Sequence, residues 1–300
     1  MGVIAVVGPT GTGKSALGVA LAKAVGGEVV NADSMQLYRG MDIGTAKLTE
    51  AERDGVPHHL LDIWPVTEPA SVAEYQQRAR AVIDELLAAG RTPVLVGGSG
   101  LYVRAVLERF EFPGTDPVLR ARLEQELARV GPGALHDRLA ALDPEAAARI
   151  LPSNGRRIVR ALEVVALTGG FTAALPEPEP FYRAVQLGLD LDTATLDDRL
   201  ARRVDQMWAT GFVDEVRRLE AEGLRDGRTA SRALGYQQVL RFLAGECTED
   251  EARGDTVQAT RRFVRRQRSW FRRDSRIVWL DAIRPDLVDA ASAALDAAGT

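Results

Sequence analysis

Apolar residues along this chain follow two rhythms. VIAVV (Val3 to Val7) and PVLV (Pro93 to Val96) are short continuous apolar runs, read as strands buried on both faces. Glu28 to Asn31, RAVQLGLDL and IVWLD (Ile277 to Asp281) are further strand candidates. Between them, Ser15 to Val25 and Val72 to Ala89 space their apolar residues by three and four, as a helix does, and Gly90 closes the second. Strands alternating with helices predict a parallel α/β sheet. In such sheets ligands sit beyond the C-terminal strand ends. Gly8–Ser15, Asp33 and Gly97–Ser99 all follow such ends, so they are expected to converge in one crevice.

Strand signals vanish between Asp116 and Pro180. Asp116-Pro117 and Asp143-Pro144 each look like a helix N-cap with proline at the first helical position. VLRARLEQELARV and NGRRIVRALEVVAL carry helical periodicity, and PEPEP is a stiff extended exit. Residues 116–180 are therefore expected to form a helical insertion, with 1–115 and 181–300 as the α/β core. Helices then run to about Arg273, one of them opened by a capping box of Thr248 and Glu251, and an amphipathic helix ends the chain.

Charge sharpens this picture. The net charge of −4 conceals RRFVRRQRSWFRRDSR, Arg261 to Arg276, in which eight arginines meet only Asp274. Helical spacing turns Phe263, Val264, Gln267, Trp270 and Phe271 to one side, leaving Arg261, Arg262, Arg265, Arg268, Arg272 and Arg273 over the rest. Such a helix can pack by one face and present arginine to phosphates; the plainer reading is a solvated amphipathic helix. No apolar run reaches about 18 residues, so no membrane span is expected, and the N-terminus lacks a basic signal region. One cysteine, Cys247, excludes a disulfide framework, and a cytoplasmic protein is expected. His58-His59 lacks a third ligand at metal-site spacing and is read as ordering the loop around Leu60 to Asp62, and the helical His136 is given no role.

GPTGTGKS, Gly8 to Ser15, matches G-x-x-x-x-G-K-[ST] and lies between a strand and a helix. Backbone amides of Gly8, Pro9, Thr10, Gly11, Thr12 and Gly13 form the wrap (proline excepted, having no N–H), and the helix N-terminus adds about half a positive charge. Lys14 supplies a point charge and Ser15 is placed to hold Mg²⁺. An NTPase usually has a second strand ending in Asp. Here PVLV ends in GGSG, and no N-K-x-D guanine tetrad occurs. The loop is thus read as gripping a pyrophosphate-like group with little sign of a nucleoside pocket. Asp33 stands just past the second strand, where it is either a metal ligand or base, or a turn-forming cap.

GPTGTGKS, NADSMQLYRGMDIGTAK, PHHLLD, LVGGSGLY, RRIVRALEV, RALGYQQ and TRRFVRRQRSWF together resemble the tRNA dimethylallyltransferases (isopentenyl transferases). The motifs occur in family order from near residue 8 to near 280, and ADS-x-Q-x-Y-x-G-MDIGTAK is the most specific of them. The resemblance implies a P-loop NTPase-like parallel-sheet core with a helical insertion. It implies transfer of a dimethylallyl group from its diphosphate to the exocyclic amine of an adenine on the 3′ side of the anticodon. The loop would then hold a leaving group.

Residue by residue, the resemblance makes Asp33 the general base and gives the departing diphosphate to Lys14, the loop amides and Mg²⁺ on Ser15. Arg232 in RALGY becomes a second clamp and Thr10 a further donor. Ser99 stands where relatives often have threonine and keeps the hydroxyl for the target nucleotide, beside Ser34 and Met35, with Gln36 on the neighbouring base. Arg261, Arg265 and Arg268 are carried over as tRNA contacts. So are Arg120, Arg156, Arg157 and Arg160 of the insertion, for which pairing to nearby Glu is the competing reading. The implied partners are a tRNA anticodon stem-loop and dimethylallyl diphosphate, with the chain acting as a monomer. Zinc is not expected, since the C-terminal finger of some eukaryotic relatives is missing.

The chemistry agrees with that assignment. An adenine amine is a poor nucleophile, and a positioned base typically contributes roughly 10²–10⁴-fold. Diphosphate leaves readily once preorganised donors neutralise it. The allyl tail asks for an apolar pocket at about 0.8 kcal/mol per buried methylene. A base in a loop must be swung out, at a cost of a few kcal/mol. Two alternatives remain: a small-molecule kinase on the same fold, and an RNA-binding module with a relic loop.

Overall fold

A computed structural model of the chain describes residues 2–109, 111–172 and 177–299. Pro176, the first residue of the expected PEPEP exit, lies outside them. Two compact units result: residues up to Glu108 together with those from Pro180 onward, and Arg109–Glu179.

The first unit is built on β1 (Val3–Val7), α1 (Lys14–Val25), β2 (Glu28–Asn31), β3 (His58–His59), α2 (Val72–Ala88), β4 (Pro93–Val96) and α3 (Gly100–Leu107). The second holds α4 (Pro117–Leu142), α5 (Pro144–Ala148) and α6 (Gly155–Thr168). The first then resumes with β5 (Ala184–Asp190), α7 (Thr193–Ala209), α8 (Phe212–Ala221), α9 (Tyr236–Leu243), α10 (Glu249–Phe271), β6 (Ile277–Asp281) and α11 (Leu287–Ala297). The six strands form one all-parallel sheet in the order β3-β2-β4-β1-β5-β6. Parallel sheets are covered on both faces, which is why VIAVV and PVLV are buried throughout. One apolar cluster, including Tyr38, Tyr75, Ile83 and Phe212, covers one face; another, including Leu17, Leu21 and Leu295, covers the other.

Two elements lie outside the pattern read from the sequence. His58–His59 is a two-residue edge strand pairing with Val29 and Val30, too short to leave a period. His59 Nε2 meets Glu28 Oε2 at 2.6 Å, so this histidine belongs to the sheet edge. GLYVRAVL forms α3, a helix of only about two turns that is apolar over most of its length.

The helical unit begins earlier than the expected residue 116. The Arg109 amide donates to Glu179 O, Arg160 donates to the carbonyls of Pro113 and Gly114, and Thr115 donates to Glu163, so Arg109, Pro113, Gly114 and Thr115 bond to the insertion. Asp116 and Asp143 cap α4 and α5 as their D-P pairs predict. α4 is broken at Gly131, which has φ 81°, directly before Pro132. His136 Nε2 lies 3.0 Å from the carbonyls of Ala147 and Ile150, tying the second half of α4 to the end of α5. Thr248 and Glu251 form the capping box of α10. Among the described residues no helix is long and apolar enough to cross a membrane.

Candidate active site

β2, β4 and β1 are neighbours in the sheet, so the segments leaving their C-terminal ends emerge side by side. β1 leads into the phosphate loop, β2 into Asp33 and β4 into Gly97–Ser99. The loop turns through Gly8, Gly11 and Gly13, at φ 128°, 86° and 85°, conformations that a side chain would strain. Thr12 Oγ1 and Lys14 Nζ both donate to Pro9 O, at 2.9 and 2.7 Å, closing the loop on itself. Lys14 and Ser15 open α1, whose N-cap is Gly13.

Asp33 is held by its own turn. Its amide donates to Asn31 Oδ1 at 2.9 Å, and its Oδ1 accepts the Met35 amide at 2.9 Å. One carboxylate oxygen thus forms an Asx turn, and the carboxylate also interacts electrostatically with two nearby cations. Burial lowers the Lys14 pKa to about 8, with Asp33 opposing that fall and Arg203 adding to it. Burial likewise lowers the Arg203 pKa, again opposed by Asp33. Lys14, Asp33 and Arg203 thus share one electrostatic neighbourhood of two cations and one anion. Ser99 Oγ accepts the Ser34 amide at 3.1 Å and donates to Ser34 Oγ at 3.2 Å, binding the β2 and β4 exits together. Gln36 Nε2 and Arg203 Nη2 both donate to Thr45 O, at 3.2 and 3.3 Å.

The MDIGTAK segment supplies that carbonyl and is fixed by buried charge. The Glu215 carboxylate accepts the amides of Asp42, Ile43 and Gly44 at 3.1, 2.7 and 3.2 Å, and the Tyr236 hydroxyl at 2.6 Å. Lys47 Nζ donates to Asp42, Asp62 and Tyr38 O at 2.7, 2.5 and 3.0 Å. A buried charge is tolerable only when paired and hydrogen-bonded like this. A Cβ on Gly44 would lie 2.3 Å from the Phe212 ring, so only glycine fits there.

α10 docks onto the same strand ends. Gln267, 6% exposed, accepts the Thr10 amide through Oε1 at 3.0 Å and donates through Nε2 to Gly98 O at 2.8 Å. Trp270 covers Gly100, where a Cβ would fall 2.1 Å from Nε1. The GGSG run after β4, which lacks the acid of an NTPase, is thus a place of close approach for α10.

Two arginines of α10 do not lie where the expected outer face would put them. Arg268 is only 16% exposed; it bonds Asp190 Oδ1 and Thr193 Oγ1, each at 2.8 Å, and Leu191 O. Arg261 is half-buried against Asp197. Positions 261, 264, 268 and 271 recur at three and four, so these arginines share the face of Val264 and Phe271. Arg265 is 61% exposed, within 3.6 Å of Asp197, and Arg262 and Arg273 are exposed. Arg232 is exposed at the end of a short 3-10 turn, Ala230–Arg232.

In the helical unit, Arg120 and Arg160 converge on Glu163 Oε2 at 2.5 and 2.7 Å. Glu163 is 0% exposed. Burial raises its carboxyl pKa, but Thr115, Arg160, Arg120 and the Asp116 amide outweigh that and hold it at about 2. Arg156 and Arg157 stand exposed on the first turn of α6.

Sequence reasoning missed Arg203, and it read Gln267 only as part of a packing face. Each had one signal: a polar residue on an apolar helical stripe. Arg203 falls in line with Leu196, Leu200 and Met207 of α7, and Gln267 with Val264 and Phe271 of α10. Among the described residues no group of three or more His, Cys, Asp or Glu can hold a metal ion. Mg²⁺ does not need one, because it is usually held by one or two protein oxygens plus substrate phosphates. The Ser15 hydroxyl at the mouth of the loop fits that role.

A family model described as IPP transferase matches residues 36–274. A protein of Salinispora arenicola called tRNA dimethylallyltransferase is 74% identical over 297 residues, covering 99% of this chain and 87% of that one. One of the same name from Thermobifida fusca is 68% identical, covering 97% and 93%. Among solved structures, the full-length tRNA isopentenylpyrophosphate transferase of Bacillus halodurans superposes with a TM-score of 0.74 at 41% identity, covering 99% of this chain and 98% of that one. A eukaryotic dimethylallyltransferase acting on tRNA superposes with a TM-score of 0.81 at 26% identity, covering 98% and 77%.

Proposed function

The chain belongs to the IPP transferase family, and from that premise we propose that it moves a dimethylallyl group from dimethylallyl diphosphate to the exocyclic amine of an adenine beside the tRNA anticodon. The observation that carries this reading is the pairing of an anion grip with a carboxylate: Asp33 lies within electrostatic reach of both Lys14 and Arg203. A P-loop kinase would also carry a metal-holding acid after a second strand, where this chain has GGSG after β4; a transfer to nitrogen needs the grip and a base.

The amine nitrogen attacks the first allyl carbon as the bond from that carbon to the diphosphate oxygen breaks. The electron pair leaves with the diphosphate, and the amine proton passes to Asp33. Lys14, Arg203 and the free loop amides meet the charge that grows on the leaving oxygen, which is the largest contribution a preorganised site makes. Mg²⁺, when bound, adds neutralising charge, and Ser15 is the residue that would hold it. The Met35 amide on Asp33 Oδ1 keeps the carboxylate from turning away. Ser99, Ser34 and Gln36 line the exits of β2 and β4 beside the base, where a swung-out adenine and its neighbour would be read.

For tRNA, the exposed Arg262, Arg265 and Arg273 of α10 and Arg156 and Arg157 of α6 are the phosphate contacts. Arg268, Arg120 and Arg160 support them from within the fold. Arg232, exposed on its 3-10 turn, is the second clamp on the diphosphate. The anticodon stem-loop is the partner, and the chain works as a cytoplasmic monomer.

The test is incubation with tRNA, Mg²⁺ and labelled dimethylallyl diphosphate. The expected result is label on adenine, abolished by Asp33→Asn with pyrophosphate affinity retained. Asparagine keeps an acceptor for the Met35 amide, so this variant removes the base without removing the turn. Phosphoryl transfer from ATP with no label on tRNA would overturn the reading.

A further inference from the structure

Gln267 spends both ends of its amide on backbone. Oε1 takes the Thr10 N–H of the phosphate loop, and Nε2 gives to Gly98 O, one residue before Ser99. Ser99 in turn holds Ser34, next to Asp33. A continuous chain of hydrogen bonds therefore runs from the leaving-group loop, through one side chain of α10, to the segment that carries the base. The side chain has little room to do anything else: a Cβ on Gly98 would come 2.5 Å from Nε2. Val264 and Phe271 bury the helix on either side of it.

Resting on the function proposed above, we infer that Gln267 is a positioning residue for the transfer. It fixes the distance between the phosphate loop and the Asp33–Ser99 segment, and it withholds the Thr10 amide from the diphosphate. It touches neither substrate nor reacting atoms. Its two bonds make it specific as glutamine: the loop needs an acceptor and the β4 exit needs a donor, from one planar group. An apolar residue of equal length supplies neither, and a carboxylate supplies only the acceptor until it takes up a proton.

Two variants separate this from a merely structural role. Gln267→Met keeps the volume and removes both bonds. Transfer kcat is expected to fall about 10–100-fold, the scale of a misplacement near 1 Å. The Kd for inorganic pyrophosphate should stay within about threefold, because the other donors remain and the freed Thr10 amide can join them. Gln267→Glu should give a variant-to-wild-type rate ratio that rises as pH falls. Burial raises the pKa of that carboxyl, and the protonated acid again accepts from Thr10 and donates to Gly98. The same ratio for Gln267→Met stays flat with pH.

Amide hydrogen exchange at Thr10 gives a reading free of turnover: slow in the wild type and at least about tenfold faster in Gln267→Met. A Met variant with wild-type kcat would overturn the inference. So would a Glu ratio flat with pH, or a parallel loss of kcat and pyrophosphate sites. Wild-type protein that binds pyrophosphate but transfers no label would instead overturn the function, and the exchange experiment would still decide whether Gln267 holds the loop.

Discussion

Lys14 Nζ donates to the carbonyl of Pro9, 2.7 Å away and five residues back in the same loop. The loop lysine therefore stands against its own backbone, and its charge is weakened by burial to a pKa of about 8. A bound diphosphate adds negative charge and raises that pKa. The sign follows. Below about pH 8 the free protein already carries the proton, so binding takes none up. Above it, each binding event must take up a proton, and affinity falls by up to about tenfold per pH unit. Calorimetry with inorganic pyrophosphate between pH 7 and 9 checks this. The drop should be steeper for wild type than for Lys14→Gln, in which only the ligand titrates.

Arg265 and Arg268 are three residues apart on α10 and differ in exposure, 61% against 16%. Arg265→Ala is expected to weaken tRNA binding and to lower the slope of log affinity against log salt by about one contact, with thermal stability unchanged. Arg268→Ala leaves Asp190, itself 9% exposed, with one guanidinium instead of two. It should lower the melting temperature and leave the salt slope nearly intact. Salt-dependent filter binding and thermal unfolding, run on both variants, distinguish them.

Glu163 organises the helical unit. Glu163→Gln leaves Arg120 and Arg160 without a counter-charge in a buried site. Breaking a fully buried pair costs about 3–5 kcal/mol. Here about 2–3 kcal/mol is expected, because both guanidiniums keep partial contact with water. Denaturant unfolding should show this as a lower midpoint. Pyrophosphate binding, proposed for the other unit, should not change.

Gly100→Ala tests the docking of α10. Its Cβ would fall 2.1 and 2.2 Å from Nε1 and Cδ1 of Trp270. The ring must move, and overpacking of this kind costs about 1–3 kcal/mol. Lower stability with reduced transfer is expected; a variant with wild-type melting and rate would show that Trp270 does not need its place on α3.

Local patterns carried much of this structure. The strands at Val3, Glu28, Pro93, Ala184 and Ile277 were legible because a parallel sheet buries both faces and leaves short apolar runs. The caps at Asp116, Asp143 and Thr248 were legible because capping is a contact between residues two or three apart. The phosphate loop was legible for the same reason, since Gly8 to Ser15 make their own turn.

What the sequence by itself determined is therefore whatever a few neighbouring residues settle among themselves: the sheet class, the helical insertion, the loop, and the acid past β2. Tertiary structure decided which side chains from distant helices reach the segments beyond the strand ends. Arg203 reaches Thr45 across 158 residues, and Gln267 reaches Thr10 across 257. It also decided which arginines face water. Eight arginines in one stretch have the same composition whether they meet phosphate or Asp190. A helix rotation fixes that choice, and the rotation is set by packing Val264, Gln267 and Phe271 against strand ends encoded far away in the chain.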